Sequence, residues 1–219
     1  MLKNKSIRNF IILVIGYGLL VIGLQGCAKR EIKNIDSKGK NIICFGDSVT
    51  LGYGAENGQD YPNVLSKMVN APVINCGVNG DTSGEAIKRL KTDVLEKEPF
   101  LVIVEFGGND FLRKTPIEQA SGNTEEIIKN IQSAGAMVAV TDISAGMIMS
   151  SYRKEFKRLC KKYDAIFIPS LFSGILTNPS LKSDAFHPNA EGYKIIAQRI
   201  YRAISPYLQK NALLRQAQK

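Results

Sequence analysis

Along the chain, short continuous apolar runs alternate with stretches whose apolar positions recur every three or four residues. Five runs have the length of strands: residues 41–45, 72–76, 100–106, 136–141 and 165–169. Residues 100–106, FLVIVEF, are apolar at nearly every position, the pattern of a strand covered on both faces. The stretches between the runs carry helix-start signals. Asp60 stands before Tyr61 and Pro62, a cap with proline close behind. Thr82-x-x-Glu85 and Thr115-Pro-x-Glu118 both read as capping boxes. A further helix starts at Asn123 or Thr124 and stops at Gly135. The last helix follows Asn189 and puts Tyr193, Ile196, Ala197, Ile200, Tyr201 and Ile204 on one face.

Strand and helix alternating five times imply βαβ units, and so an α/β protein of three layers with a five-stranded parallel sheet between helices. The 219 residues suffice for one sizeable domain, placed at residues 41–207, with 208–219 as a short basic tail expected to fray. Ligands of such sheets bind beyond the carboxyl ends of the strands. The residues just after each apolar run are therefore where chemistry is expected.

The N-terminus has a different pattern. Lys3, Lys5 and Arg8 precede an apolar run at residues 10–24, short for a membrane span and right for a secretory signal. LQGC at 24–27 follows and resembles the bacterial lipobox, with Gln25 departing from the usual small or apolar residue. That resemblance implies removal of residues 1–26, lipid on Cys27 and a membrane-anchored lipoprotein of the bacterial envelope, facing the periplasm or exterior. An uncleaved anchor and a plainly secreted protein are the alternatives. Residues 28–40 are polar and read as a tether.

Residues 1–26 hold three bases and no acid, so their removal lowers the net charge from +9 to +6. That excess suits an anionic membrane surface. No basic run with interleaved aromatics is present, which argues against a nucleic-acid partner. Cys44, Cys76 and Cys160 lie in apolar patterns and read as buried thiols, although a Cys44–Cys76 bridge stays open in an oxidising compartment.

Four strand ends carry chemistry-bearing residues. Ser48 follows the first run, Gly80 the second, and Asn109 and Asp110 the third. Asp184 and His187, in DAFHPN, lie between the fifth run and the last helix. Each has an ordinary structural role open to it: Ser48 as a helix cap, Gly80 as a turn glycine, Asn109 as a cap, Asp184 as a solvated acid. His187 is the only histidine, so a histidine-clustered zinc site is excluded, and the cysteines lack CxxC spacing. No metal or other cofactor is expected. A serine hydroxyl needs a base to attack anything at neutral pH, and His187 with an acid three residues earlier can supply one. Acyl transfer also needs donors for the developing oxyanion, which the Gly80 N–H, the Asn109 amide and the Ser48 N–H can offer. Asp47 and Asp110 read as loop ties. GxSxG, GxGxxG and GxxxxGK[ST] are absent.

GDSV at 46–49, GVNGDTS around Gly80, GGND at 107–110 and DAFHP at 184–188 together resemble the four blocks of the SGNH hydrolase superfamily, the GDSL-type esterases, in family order. Val49 stands where leucine is usual. The resemblance covers about residues 41–205 and points to the bacterial thioesterase, lysophospholipase and arylesterase branch. It implies the flavodoxin-like SGNH fold, with Ser48 as nucleophile, His187 as base, Asp184 as its partner, and Ser48, Gly80 and Asn109 as oxyanion donors. The implied function is hydrolysis of small-molecule or lipid acyl esters or thioesters through an acyl-enzyme. The apolar loop ISAGMIMSSY at 143–152 could line an acyl pocket or pack on the core. An acetyl-esterase of wall or surface glycans is the alternative activity, and a non-catalytic lipoprotein binding module the alternative of another class.

Overall fold

The computed structural model describes residues 31–144 and 147–217. The fold is that of the unit Ile32–Lys219. The predicted signal and Cys27 lie outside the described residues. Among the described residues, no helix is long and apolar enough to cross a membrane.

Five strands form one all-parallel sheet: β1 Asn41–Gly46, β2 Val73–Gly77, β3 Pro99–Glu105, β4 Met137–Thr141 and β5 Ile166–Ile168. Their order is β2-β1-β3-β4-β5. The chain steps outward from β1 to β2, then returns past β1 to β3, so the connections leaving β1 and β3 diverge and open a crevice at their carboxyl ends. Among the described residues, seven α-helices follow the alternation: α1 Ser48–Leu51, α2 Tyr61–Val69, α3 Ser83–Asp93, α4 Gly108–Leu112, α5 Ile117–Ser133, α6 Ser150–Lys162 and α7 Ala190–Gln216. α2 packs against α7, and α3, α5 and α6 pack in sequence, which gives the two outer layers. Ile43, Leu101, Val102, Ile103, Val138 and Ala139 are fully buried between them.

Helix starts follow the expected chemistry at three places. Asp60 accepts from the Asn63 N–H at 3.0 Å, with Pro62 in the first turn. Thr82 and Glu85 form a reciprocal capping box. Asn189 accepts from the Gly192 N–H at 3.1 Å. At Thr115 the outcome differs. The Thr115 N–H closes a turn on the Asp110 carbonyl, and Pro116 occupies the cap position without a side-chain bond. One helix then runs through Asn123 and Thr124 to Ser133, because Thr124 returns its hydroxyl to the Ala120 carbonyl instead of capping a new start. Gly135 terminates it in the left-handed region, at φ 81°.

The expected tether also differs from Ile32 onward. Ile32 and Ile35 are buried. The Lys33 N–H donates to the Asp164 carbonyl, and the Asn34 amide donates to the carbonyls of Gln132 and Ala136. Residues 32–37 thus dock at the amino ends of β4 and β5. The expected tail holds them there. α7 continues past Pro206 to Gln216, Asn211 donates to the carbonyls of Ile35 and Ser37, and Arg215 donates to those of Ser37 and Gly39.

Cys44, Cys76 and Cys160 are free and buried. Cys44 is in register with Asn75, and Cys76 with Phe45. The two cysteines are therefore one residue out of step, and their side chains leave opposite faces of the sheet.

Candidate active site

The turn after β1 answers what Ser48 does locally. Asp47, not Ser48, caps α1, its Oδ1 accepting from the Val49 N–H at 3.0 Å. Ser48 opens the helix with its side chain free of that duty. The turn is tight: a Cβ on Gly46 would lie 2.0 Å from Thr50 Oγ1 and 2.7 Å from the Glu105 carbonyl oxygen. Ser48 Oγ lies 3.0 Å from His187 Nε2.

His187 sits on a loop folded around Asp184. Asp184 Oδ1 accepts from the N–H groups of Phe186 and His187 at 2.8 and 2.9 Å, and Oδ2 lies 2.8 Å from His187 Nδ1. These bonds, led by the Phe186 N–H, hold the Asp184 carboxyl down to about 2. A carboxylate only accepts, so Nδ1 carries the proton and Nε2 is left to accept from the serine hydroxyl. The loop is pinned by a bridge between Lys182 and Pro188 and by the Ser183 N–H on the His187 carbonyl. It lies so close to Gly54, at φ 86°, that a Cβ there would be 2.0 Å from Ser183 Oγ.

On the other side of Ser48, Asn109 lies in the first turn of α4. Its Nδ2 donates to Asp47 Oδ2 and to the Asp81 carbonyl, both at 3.0 Å. Gly80 takes a left-handed turn at φ 80°, and its carbonyl accepts from Arg113 at 2.8 Å. Asp110 ties the loop as expected, accepting from the Ser83 N–H and hydroxyl at 2.9 and 2.6 Å. Ser48, His187, Asp184 and Asn109 thus converge. Gly80 does not line the pocket in front of Ser48 and stands next to Asp81, whose carbonyl Asn109 holds.

The pocket in front of Ser48 encloses about 440 Å³. Its walls come from Val49, Ile143, Met149, Phe172 and Leu176, and Asn79 reaches it where Gly80 does not. Phe111, Leu112, Ile148 and Phe186 also line it and are 45–61% exposed, so they form its rim. The 143–152 loop divides its roles: Ile143, Ile148 and Met149 face the pocket, while Met147 is 92% exposed. Among the described residues, no group of three or more His, Cys, Asp or Glu side chains is placed to hold a metal ion.

The GDSL-like lipase/acylhydrolase family model matches residues 44–195. The chain belongs to that family. It is a carboxylic ester hydrolase with the SGNH fold. It is similar to the thioesterase 1/protease 1/lysophospholipase L1 of Escherichia coli, 24% identical over 176 residues, 75% of this chain and 83% of that one. It is similar to the psychrotrophic esterase EstA from Pseudoalteromonas sp., in a structure inhibited by monoethylphosphonate. That likeness has 25% identity and a TM-score of 0.70, and it covers 77% of this chain and 98% of EstA. The uncharacterized lipoprotein YqeF of Bacillus subtilis is 32% identical over 111 residues, 47% of this chain and 41% of that one.

Two residues of this family member escape the sequence argument. Tyr53 packs its ring 4.5 Å from the His187 ring and is itself held by the Tyr193 hydroxyl on its carbonyl at 2.7 Å. Nothing in the local sequence marks it. Glu105 ends β3, lines the pocket and is buried against Asp47. Its signal was visible, since it is the lone acid in the apolar run FLVIVEF.

Proposed function

We propose that the protein is a serine esterase that hydrolyses acyl esters or thioesters through an acyl-enzyme. The observation that carries the reading is the Ser48 Oγ to His187 Nε2 contact at 3.0 Å, with Nδ1 held by Asp184. Ser48 Oγ attacks the acyl carbonyl as its proton passes to His187 Nε2. The charge on the imidazolium is offset by Asp184. His187 then protonates the departing alcohol or thiol. Water, deprotonated by His187, attacks the acyl-enzyme and frees Ser48.

The oxyanion is received by N–H donors. The Ser48 N–H lies in the first turn of α1, where it has no helical acceptor. Asn109 gives a second donor by releasing the Asp81 carbonyl while keeping Asp47. The Gly80 N–H is the third donor we assign, supported by its place next to Asn79, which lines the pocket. The pocket supports an acyl chain of several carbons over an acetyl group, because its walls are apolar and its volume is within the range of small-ligand sites. The names of the E. coli and Pseudoalteromonas relatives support the same class. We assign Cys27 as a lipidation site and the bacterial envelope as the location, supported by the signal pattern and by the likeness to a lipoprotein.

The test is hydrolysis of a p-nitrophenyl ester series by wild type beside Ser48→Ala. The reading requires activity in the first and its loss in the second. Equal activity in both would place the chemistry elsewhere.

A further inference from the structure

Tyr53 is the second residue past α1, and no step of the proposed chemistry uses it. Its backbone is held on both sides. The Tyr53 N–H donates to the Ser48 carbonyl at 3.0 Å. The Tyr53 carbonyl accepts at 2.7 Å from the hydroxyl of Tyr193, which is fully buried on α7. The next residue, Gly54, leaves no room for a Cβ beside Ser183 of the loop that carries His187. Tyr53 itself is 47% exposed, so filling the core does not account for it. Its ring instead meets the His187 ring, with centroids 4.5 Å apart and planes tilted by 45°. Tilted and offset rings at that separation attract each other.

His187 has to be held against one motion in particular. Asp184 at Nδ1 and Ser48 Oγ at Nε2 engage its two nitrogens, at 2.8 and 3.0 Å. Rotation about χ2 carries both nitrogens off those lines. That torsion has a broad minimum in histidine, so rotamer preference resists it weakly. The Asp184 bond resists it only in part, because the Asp184 side chain is 43% exposed and water competes for its oxygens. A surface packed against the ring supplies what is missing. Among the described residues, Tyr53 is the aromatic side chain in ring contact with His187.

We propose that Tyr53 is a positioning residue for His187, its ring the stop that keeps Nε2 in line with Ser48 Oγ. Its N–H on the Ser48 carbonyl makes the same residue a link between base and nucleophile. The base is thereby set against the turn that presents Ser48, and not by its own exposed loop alone. Once the proton has passed to His187, the imidazolium stays within cation–π range of the ring. The base role of His187 rests on the esterase reading, whereas the ring contact does not.

The experiment compares wild type, Tyr53→Phe and Tyr53→Leu by proton NMR of the His187 ring and by kcat and KM on one ester, with urea midpoints as the check on folding. His187 is the only histidine, so its ring signals are read without ambiguity. Wild type and Tyr53→Phe should show ring protons displaced by a neighbouring aromatic ring, and Tyr53→Leu should not. Phenylalanine keeps the packed surface, so its kcat should stay within about twofold of wild type. Leucine does not, and its kcat should fall by about tenfold or more at nearly constant KM, in line with the cost of a misplaced catalytic group. Tyr53→Gln, a second non-aromatic variant, carries the same expectation should the leucine variant not fold. Undisplaced His187 signals in wild type would overturn the proposal. So would a kcat equal to wild type in the folded non-aromatic variant. So would a Tyr53→Phe kcat as low as that of Tyr53→Leu, which would assign the effect to the hydroxyl. A rise in KM at constant kcat would make Tyr53 a substrate contact and overturn it too. Hydrolysis that survives Ser48→Ala would end the esterase reading and leave the NMR result standing.

Discussion

Asn109 shows how much a single side chain is asked to do. In the free protein both of its Nδ2 hydrogens are engaged, one by Asp47 and one by the Asp81 carbonyl. Asn109→Ala should lower kcat by about 100- to 1000-fold, the usual cost of one oxyanion donor, with KM changed far less. A loss under threefold would show that the amide only ties loops. Glu105 gives a prediction in stability. Folding raises its pKa, so the folded state keeps a proton that the unfolded chain releases above its ordinary carboxylate range. That contribution is whole below the unfolded pKa and declines as pH rises toward the folded one. Urea midpoints between about pH 5 and pH 8 should therefore fall more steeply for wild type than for Glu105→Gln. Parallel curves would remove Glu105 as the group that holds the proton. Ser48, Asn109, Asp184 and His187, which the structure brings together, were legible because a serine, an amide, an acid and a histidine stand after apolar runs. Glu105 and Tyr53 were not read. Their neighbours are distant in sequence; Glu105 left one local mark, as the lone acid in FLVIVEF, and Tyr53 left none.

Among the elements, two identical cap signatures had different outcomes. Thr82 caps α3 in a full box, while Thr115 is bypassed by Pro116. Thr82→Ala should cost about 1 kcal/mol of stability in urea unfolding, and Thr115→Ala under about 0.5 kcal/mol. Equal losses would contradict the cap assignment. The docked segment gives a second contrast. Asn211 is 2% exposed and holds the carbonyls of Ile35 and Ser37. Asn211→Ala should cost about 1–3 kcal/mol, because it takes the Asn211 donor from the buried Ile35 carbonyl, while Arg215 still reaches the Ser37 carbonyl. A neutral result would mean that residues 32–40 are a tether after all. The strands and most helix starts were legible from periodicity and caps. The docking of residues 32–37 was not, because two isoleucines in a polar stretch make no periodic pattern and the bonds are to backbone carbonyls. The continuation of α7 was hidden by Pro206, whose lost N–H bond argues for an end that the Asn211 and Arg215 contacts override.

The pocket in front of Ser48 belongs to the whole molecule, since its walls come from loops after β1, β3, β4 and β5. An apolar pocket of about 440 Å³ should reward each added methylene by up to about 0.8 kcal/mol, roughly fourfold in kcat/KM, until it is filled. Hydrolysis should rise from acetyl to octanoyl esters, and Leu176→Trp should flatten that rise by filling the pocket. A steep preference for acetyl in wild type would favour glycan acetyl esters as substrates. The order of strands decides why such a pocket forms here at all, since β1 and β3 lie side by side and send their following loops apart. The central claim is that Ser48 forms the covalent intermediate. The measurement that tests it most directly is mass spectrometry of the protein after inactivation by a reactive phosphonate ester, whose leaving group Ser48 Oγ would displace at phosphorus. One adduct is expected, on the peptide containing Ser48, in step with the loss of hydrolysis. Activity lost with the adduct on another residue, or hydrolysis retained with Ser48 fully modified, would contradict it.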